Sequence, residues 1–275
     1  MRRGPYVTKG RLESVRASLS DRQRDVMADV DAIGVMSGRQ LKGVHYDGDG
    51  LSARLARREL AEMVDHGVLR RLDRQVGGRH AGSDGYCYVL SELIGERLLH
   101  PGKRRYWQRS EPGSQFVSHG LALAQLYTDL RILERTDAAE VAEILGEPLC
   151  WRRYFGPGGS PRWLKPDAYL SIASGEFEDH YFIEIDCDSE RPRRIETKAR
   201  AYVSYYQSGR EQAESDVFPL VVFVVPSEDR KKEVVSAVTR LSAEWWRLFV
   251  VVTAGTAASL LIGGSLAAGA SETAS

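Results

Sequence analysis

The sequence predicts an α/β (α+β) protein built from two modules, and three observations predict it. The first hundred residues read as helices followed by two short apolar strands. From about residue 116 onward, apolar runs of strand length alternate with amphipathic helices. The charge divides along the same line. Residues 1–110 carry 21 Lys/Arg against 14 Asp/Glu and residues 111–275 carry 17 against 24, although the whole chain balances at 38 each. A basic half joined to an acidic half points to modules with different partners. The basic half suits a polyanion such as nucleic acid.

A chain of 275 residues has room for two modest cores. Cys87, Cys150 and Cys187 are odd in number and widely spaced. They match neither a disulfide framework nor zinc-ligand spacing, so a reducing, cytoplasmic setting is expected. Met1-Arg2-Arg3-Gly4-Pro5 has no apolar run behind it and is not read as a secretory signal. Leu248 to Ser271 carries no charge, but Gly255, Gly263, Gly264 and Gly269 dilute its hydropathy. A last core strand and a loose Ala/Gly/Ser tail over 256–275 are therefore expected, not a membrane span.

Residues 1–19 read as a flexible basic arm. Ser20 and Gln23 have capping-box spacing ahead of Val26, Val30 and Ile33, which recur at helical period. Ser37 caps a short second helix. A third runs from about Leu51 to His66, with Leu55, Leu60, Met63 and Val64 on its apolar face and Gly67 as its stop. Val68–Leu72 and Tyr86–Leu90 read as strands across a Gly-rich loop containing Arg74, Arg79 and His80. Three helices and a hairpin with a basic tip follow the order of a winged helix-turn-helix, expected over residues 20–100. In that arrangement Arg54, Arg57 and Arg58 of the third helix face DNA, with Arg74 and Arg79 at the wing. A winged helix used for protein contact, its arginines merely solvated, is the alternative.

Residues 101–115 read as a linker, and the second module is expected over 116–255. It begins with a helix from His119 to about Arg135 and a short helix over Ala138–Leu145. Leu149–Phe155 is a strand, and strands 164–173 and 180–187 form a hairpin. A helix spans 195–207, Phe218–Val225 is a buried strand, 229–247 a helix and 248–253 the last strand. The order is α-β-β-β-α-β-α-β.

The chemistry concentrates at Asp167 and at Glu184-Ile185-Asp186, on neighbouring apolar strands. Three carboxylates there are costly to bury without a counter-ion. A hard divalent cation is the usual partner for such oxygens. Strand alternation puts Glu184 and Asp186 on one face, and Lys198 follows on the next helix. Glu134 or Asp129 would supply an outer acid. The competing reading pairs Asp186 with Lys198 and with Arg193 or Arg194. His119 reads as a cap or core-edge residue. Tyr202, Tyr205, Tyr206, Trp245 and Trp246 read as packing, although stacking on bases is open to the tyrosines. Gly156-Pro157-Gly158-Gly159 lacks the ending of a phosphate loop.

With Pro166-Asp167 on its second strand and Glu184-Ile185-Asp186 on its third, this core resembles the PD-(D/E)xK nuclease-like fold. The resemblance implies that Asp167 and Glu184 hold Mg²⁺ and that a nearby lysine positions the attacking water. Asp186 stands where that lysine is expected, and Lys198 fits the variant that carries it on the next helix. Across most of its length the chain is also similar to the replication-relaxation family. The matching pieces are Leu19–Val26, Arg57…Leu60…Gly67-Val68-Leu69, Tyr88-Val89-Leu90, His119-Gly120-Leu121, Lys165–Tyr169, Glu184-Ile185-Asp186 and Lys198…Tyr202. That family implies a DNA-linked role in replication or in plasmid and mobile-element maintenance.

Two functions are thereby left open. One is a Mg²⁺-dependent DNA endonuclease or nickase, with Asp167, Glu184 and Asp186 as metal ligands and Lys198 beside them. The other is a non-catalytic winged-helix replication or transcription factor with an inactive nuclease-like domain. A protein-interaction adaptor is a third, weaker reading. Double-stranded DNA is the expected partner, with room for a homodimer and for replication or mobile-element proteins; no membrane partner is expected.

Overall fold

Side-chain caps place the first helices where the sequence puts them. The computed structural model describes residues 7–46, 50–72, 86–102, 113–136, 139–188, 190–264 and 266. It is a mixed α/β protein that divides into two units, Met1–Thr128 and Asp129–Ser275.

In the first unit, α1 (Lys9–Ser18) starts at Thr8, whose hydroxyl accepts from the Arg11 amide at 3.2 Å. The arm expected over 1–19 is therefore helical from Lys9, and it is anchored by buried Val15 and Leu19. Helix α2 (Asp21–Ile33) begins with the Ser20/Gln23 capping box and ends at Gly34, at φ 94°. Strand β1 (Met36–Ser37) precedes α3 (Gly38–His45), which repeats the capping box with Ser37 and Gln40. Helix α4 (Gly50–Asp65), β2 (Leu69–Leu72), β3 (Cys87–Leu90) and α5 (Gly95–Leu99) complete the module. The strands form an antiparallel sheet in the order β1-β3-β2.

Helix α6 (Ser114–Leu133) differs from its expected place. The sequence gives it wholly to the second module, whereas the division between units falls inside it. The reason is packing. Val117 joins Val35, Leu72 and Val89 in a core cluster. Gln40 Nε2 donates to the Leu121 carbonyl at 2.9 Å, and the Tyr127 hydroxyl donates to Asp29 at 2.7 Å.

The second unit is built on a five-stranded mixed sheet, β10-β9-β8-β7-β4. Its strands are β4 (Ala139–Gly146), β7 (Ala168–Ser174), β8 (Phe177–Ile185), β9 (Leu220–Val225) and β10 (Phe249–Thr253). The β5 (Arg152–Phe155)/β6 (Pro161–Leu164) pair forms a separate hairpin. β4, β7 and β8 run antiparallel, whereas β8, β9 and β10 are parallel. Helices α7 (Pro192–Gln207), α8 (Arg210–Ser215), α9 (Glu228–Val238) and α10 (Ala254–Ile262) link and cover these strands.

Three expectations are corrected here. Where a helix is expected over 138–145, residues 139–146 form strand β4, because pairing with β7 outweighs the helical preference of Ala139-Glu140-Val141-Ala142-Glu143. The helix expected over 229–247 stops at Val238, and a 3₁₀ turn covers Ala243–Leu248. The tail expected from 256 is helical to Ile262, with Ala257, Ala258, Leu261 and Ile262 buried. No helix among the described residues is long and apolar enough to cross a membrane.

The core of this unit is aromatic. Phe182 is fully buried and its ring meets those of Tyr169, Tyr202, Tyr205 and Phe218 at centroid distances of 5.7–6.4 Å. Phe182→Ala is expected to cost about 3–5 kcal/mol, the range for emptying a packed aromatic site. Phe177→Ala, at a residue 79% exposed, is expected to stay within about 0.5 kcal/mol of wild type. Urea unfolding of the two variants checks the contrast.

Candidate functional site

The parallel edge of β8 positions the acids. Glu184 lies within β8 and is 2% exposed. Asp167 directly precedes β7, and its Oδ2 accepts from the Ile185 amide at 2.7 Å, which pins that carboxylate to the end of β8. Helix α7 returns across the sheet and brings Lys198 and Tyr202, one turn apart, to the same carboxylate. Lys198 Nζ donates to Glu184 Oε2 at 2.7 Å, and the Tyr202 hydroxyl donates to Oε1 at 2.6 Å. Both oxygens of Glu184 are engaged. Lys198 also stands 3.2 Å from Glu190, which pairs with Arg194 at 3.0 Å.

Asp186 goes elsewhere. Strand β8 ends at Ile185, so Asp186 is outside the pleat that would have aligned it with Glu184. Its Oδ1 accepts from the Asp188 amide at 2.6 Å. Its Oδ2 accepts from Arg230 Nε at 3.0 Å and Nη2 at 2.7 Å. Arg230 further pairs with Glu233 at 2.7 Å and donates to the Glu190 carbonyl at 2.5 Å. The counter-ion expected for Asp186 from Lys198, Arg193 or Arg194 is instead an arginine of α9, a position with no local sequence signal. Glu134 is occupied by Arg131 and the Val141 amide.

The sequence-predicted residues therefore fall into two groups: Glu184 with Lys198 and Asp167, and Asp186 with Arg230. Among the described residues no set of three or more His, Cys, Asp or Glu is gathered to hold a metal ion. The expected three-carboxylate Mg²⁺ cage does not fit this arrangement, since Arg230 occupies Asp186 and Lys198 and Tyr202 occupy both oxygens of Glu184.

The electrostatics follow from burial. Burial and then the charge of Asp167 push the Glu184 carboxyl up to about 7, against the opposing pull of Lys198 and Tyr202. Burial opposes the charge on Lys198, but Glu184 and Asp167 outweigh it and hold the ammonium above its ordinary value. Two acids and one lysine, all ionised, would leave a net negative charge in a buried place, and this is what raises Glu184. Burial and Glu184 also raise Tyr202, keeping its hydroxyl a donor.

A second buried acid has the same design. Glu211 accepts from Arg152 Nε at 3.2 Å and from the Tyr205 hydroxyl. The Arg152 guanidinium lies 5.1 Å from the Tyr169 ring centroid. Neither Glu211 nor Arg230 stands out in the sequence. A buried polar position inside an otherwise amphipathic helix is the only trace of either.

On the first unit, Arg54, Arg57 and Arg58 are exposed along one side of α4, opposite buried Ala56, Leu60 and Met63. Arg58 lies 3.6 Å from Glu62, a solvent-exposed pair of little energetic weight. Arg74 and Arg79 lie outside the described residues. Tyr206 packs against Phe218 and Trp245, and the Trp246 indole donates to the Leu241 carbonyl at 3.0 Å, so these aromatics serve packing.

A family model described as replication-relaxation matches residues 27–221. Comparison with curated proteins finds no match. Among solved structures, the restriction endonuclease FokI bound to DNA is similar at 14% identity and a TM-score of 0.25, over 94% of this chain and 48% of that one. The chain thus spans about half the length of that protein.

Two outcomes are expected. A folded-state pKa raised from 4.5 to about 7 contributes stability below pH 4.5 that is lost as pH rises through 7. The unfolding free energy of Glu184→Gln should therefore gain on wild type between pH 5 and 8, as urea denaturation across that range would record. Arg230→Met leaves Asp186 buried without its cation and should cost about 3–5 kcal/mol; adding Asp186→Asn should recover part of it.

Proposed function

This chain belongs to the replication-relaxation family, and from that premise we propose that it is a DNA-binding protein of replication or mobile-element maintenance whose acid cluster is structural. The N-terminal unit is read as a winged helix. Its element order is helix, strand, helix, helix, strand, strand, with a β1-β3-β2 sheet, and the long α4 carries exposed Arg54, Arg57 and Arg58 in the position of a recognition helix. Arg71, on β2, lies over the Tyr86 ring at 4.2 Å and adds positive charge at the base of the hairpin. Phosphate contacts by these arginines give affinity and register, and their cost to binding grows with salt.

The second unit is read as a nuclease-like domain without the metal chemistry. The observation that carries this is the pairing of Asp186 with Arg230 beside a Glu184 already saturated by Lys198 and Tyr202. An acid paired with an internal guanidinium is already charge-compensated and gains less from a cation. Winged-helix docking and a plasmid or mobile-element setting are parts of this reading, and Mg²⁺ dependence is not.

One observation favours the second reading, a metal-dependent nickase. Lys198 lies 2.7 Å from Glu184, and the charge of Asp167 acts on both, which is the set a PD-(D/E)xK site would use. Supercoiled plasmid incubated with protein and Mg²⁺ or Mn²⁺ separates the readings. The structural reading expects no nicking above that of Asp167→Ala and Glu184→Ala; nicking by wild type alone would reverse it. For the DNA-binding role, Arg54→Ala/Arg57→Ala/Arg58→Ala is expected to weaken duplex mobility shifts by about ten-fold or more at low salt and to flatten their salt dependence.

A further inference from the structure

The β5/β6 hairpin carries aromatic side chains on the wrong face for a solvated strand pair. Its register sets Arg153 opposite Trp163 and Phe155 opposite Pro161. Alternation puts these four on one face, and Tyr154 and Leu164 on the other, where both join the aromatic core. The inner face is anchored by the Tyr154–Tyr205 ring contact at 5.1 Å. The outer face would ordinarily be polar. Instead Phe155 is 60% exposed and Trp163 is 56% exposed.

The flanks extend this face. Trp151 meets Trp163 edge-on at 6.4 Å, and Lys165 Nζ sits 4.1 Å from the Trp151 ring centroid. Residues 148–166 contain Arg152, Arg153, Arg162 and Lys165 and no acid, inside a half of the chain that is otherwise acidic; Glu147, just before them, accepts from the Trp151 indole at 3.1 Å and sets a carboxylate against this face. Arg152 is committed to Glu211, and Arg162, opposite Tyr154, falls on the inner side, whereas Arg153 and Lys165 are exposed and belong to the aromatic face. The tip of the hairpin is closed by the Gly156 amide, which donates to the Ser160 carbonyl at 2.9 Å, and Gly158 and Gly159 take φ of 78° and 76°, values that favour glycine.

We propose that this hairpin face binds single-stranded nucleic acid. Exposed aromatic rings offer stacking platforms to any base, and interleaved cations follow the phosphates. A duplex keeps its base faces stacked and has nothing to lay on Trp163 and Phe155. The local excess of positive charge is what selects a polyanion over an apolar protein partner. Lys165 and Pro166 lead directly from β6 to Asp167, and the Cys150 thiol donates to the Pro166 carbonyl at 3.0 Å. This surface is independent of the α4 arginines and of any metal chemistry.

Fluorescence anisotropy of the full chain with labelled oligothymidine, and with a matched duplex, tests it. Trp163→Ala and Phe155→Ala are each expected to weaken oligothymidine binding about ten-fold, while duplex binding moves by less than about two-fold. Trp163→Phe should retain most of the affinity. Arg153→Glu should weaken binding and lower its salt dependence. Thermal melting accompanies each variant. Should Trp163→Ala melt early, Arg153→Glu, at an exposed position, decides in its place. Unchanged oligothymidine binding in the variants overturns the proposal, as does absence of binding by wild type. A changed sedimentation of Trp163→Ala with unchanged oligonucleotide binding overturns it too, and assigns the face to contact between copies. Loss of duplex binding in the α4 triple variant with oligothymidine binding intact leaves this surface standing, so the two readings fail separately.

Discussion

The second unit depends on how it compensates buried carboxylates. Glu184 sits in the middle of the sheet with both oxygens enclosed, and an ionised acid there is unsustainable without donors. Lys198 and Tyr202 supply them from α7. Asp167 takes a backbone amide of β8, Asp186 takes Arg230 from α9, and Glu211 takes Arg152 and Tyr205. Glu184 ties α7 and Asp186 ties α9 to the sheet, and Glu211 ties α8 to α7 and to the β5/β6 hairpin, so these acids help fix where those elements dock. Replacing such pairs by well-packed apolar groups is often neutral or stabilising. Their contribution here is the definition of geometry more than net stability.

That arrangement also shapes the functional reading. A carboxylate set that is open on one side invites a cation, but one saturated by its own lysine, tyrosine and arginine presents a closed surface. On the proposed reading the unit would meet nucleic acid elsewhere, through the exposed aromatics and cations of the β5/β6 hairpin. The first unit brings a second and chemically different surface, the arginine side of α4. Duplex and single strand would be held by different units of one chain, a combination suited to a protein acting where DNA is opened.

Much of the framework was legible from local signals. Ser20 with Gln23, and Ser37 as a cap, marked two helix starts. The unbroken apolar runs of Leu220–Val225 and Phe249–Thr253 marked the buried parallel strands. What failed was decided by partners distant in sequence. Ala139–Gly146 looks helical until β7 pairs with it. The same holds at the site. Spacing put Lys198 beside the acids but offered it Asp186 as a partner, whereas the structure pairs it with Glu184, and the Asp186–Arg230 pair joins residues 44 apart through the packing of α9. The hairpin face escaped notice because exposure, not residue type, gives Phe155 and Trp163 their meaning.

The central claim is that this cluster is neutralised from within. Mn²⁺ titration of the full chain, followed by calorimetry and by the spectroscopic loss of free Mn²⁺, tests it most directly. The account predicts no stoichiometric site that depends on Asp167 or Glu184. One ion bound per chain, and released by Asp167→Ala or Glu184→Ala in a protein that still melts cooperatively, would contradict it.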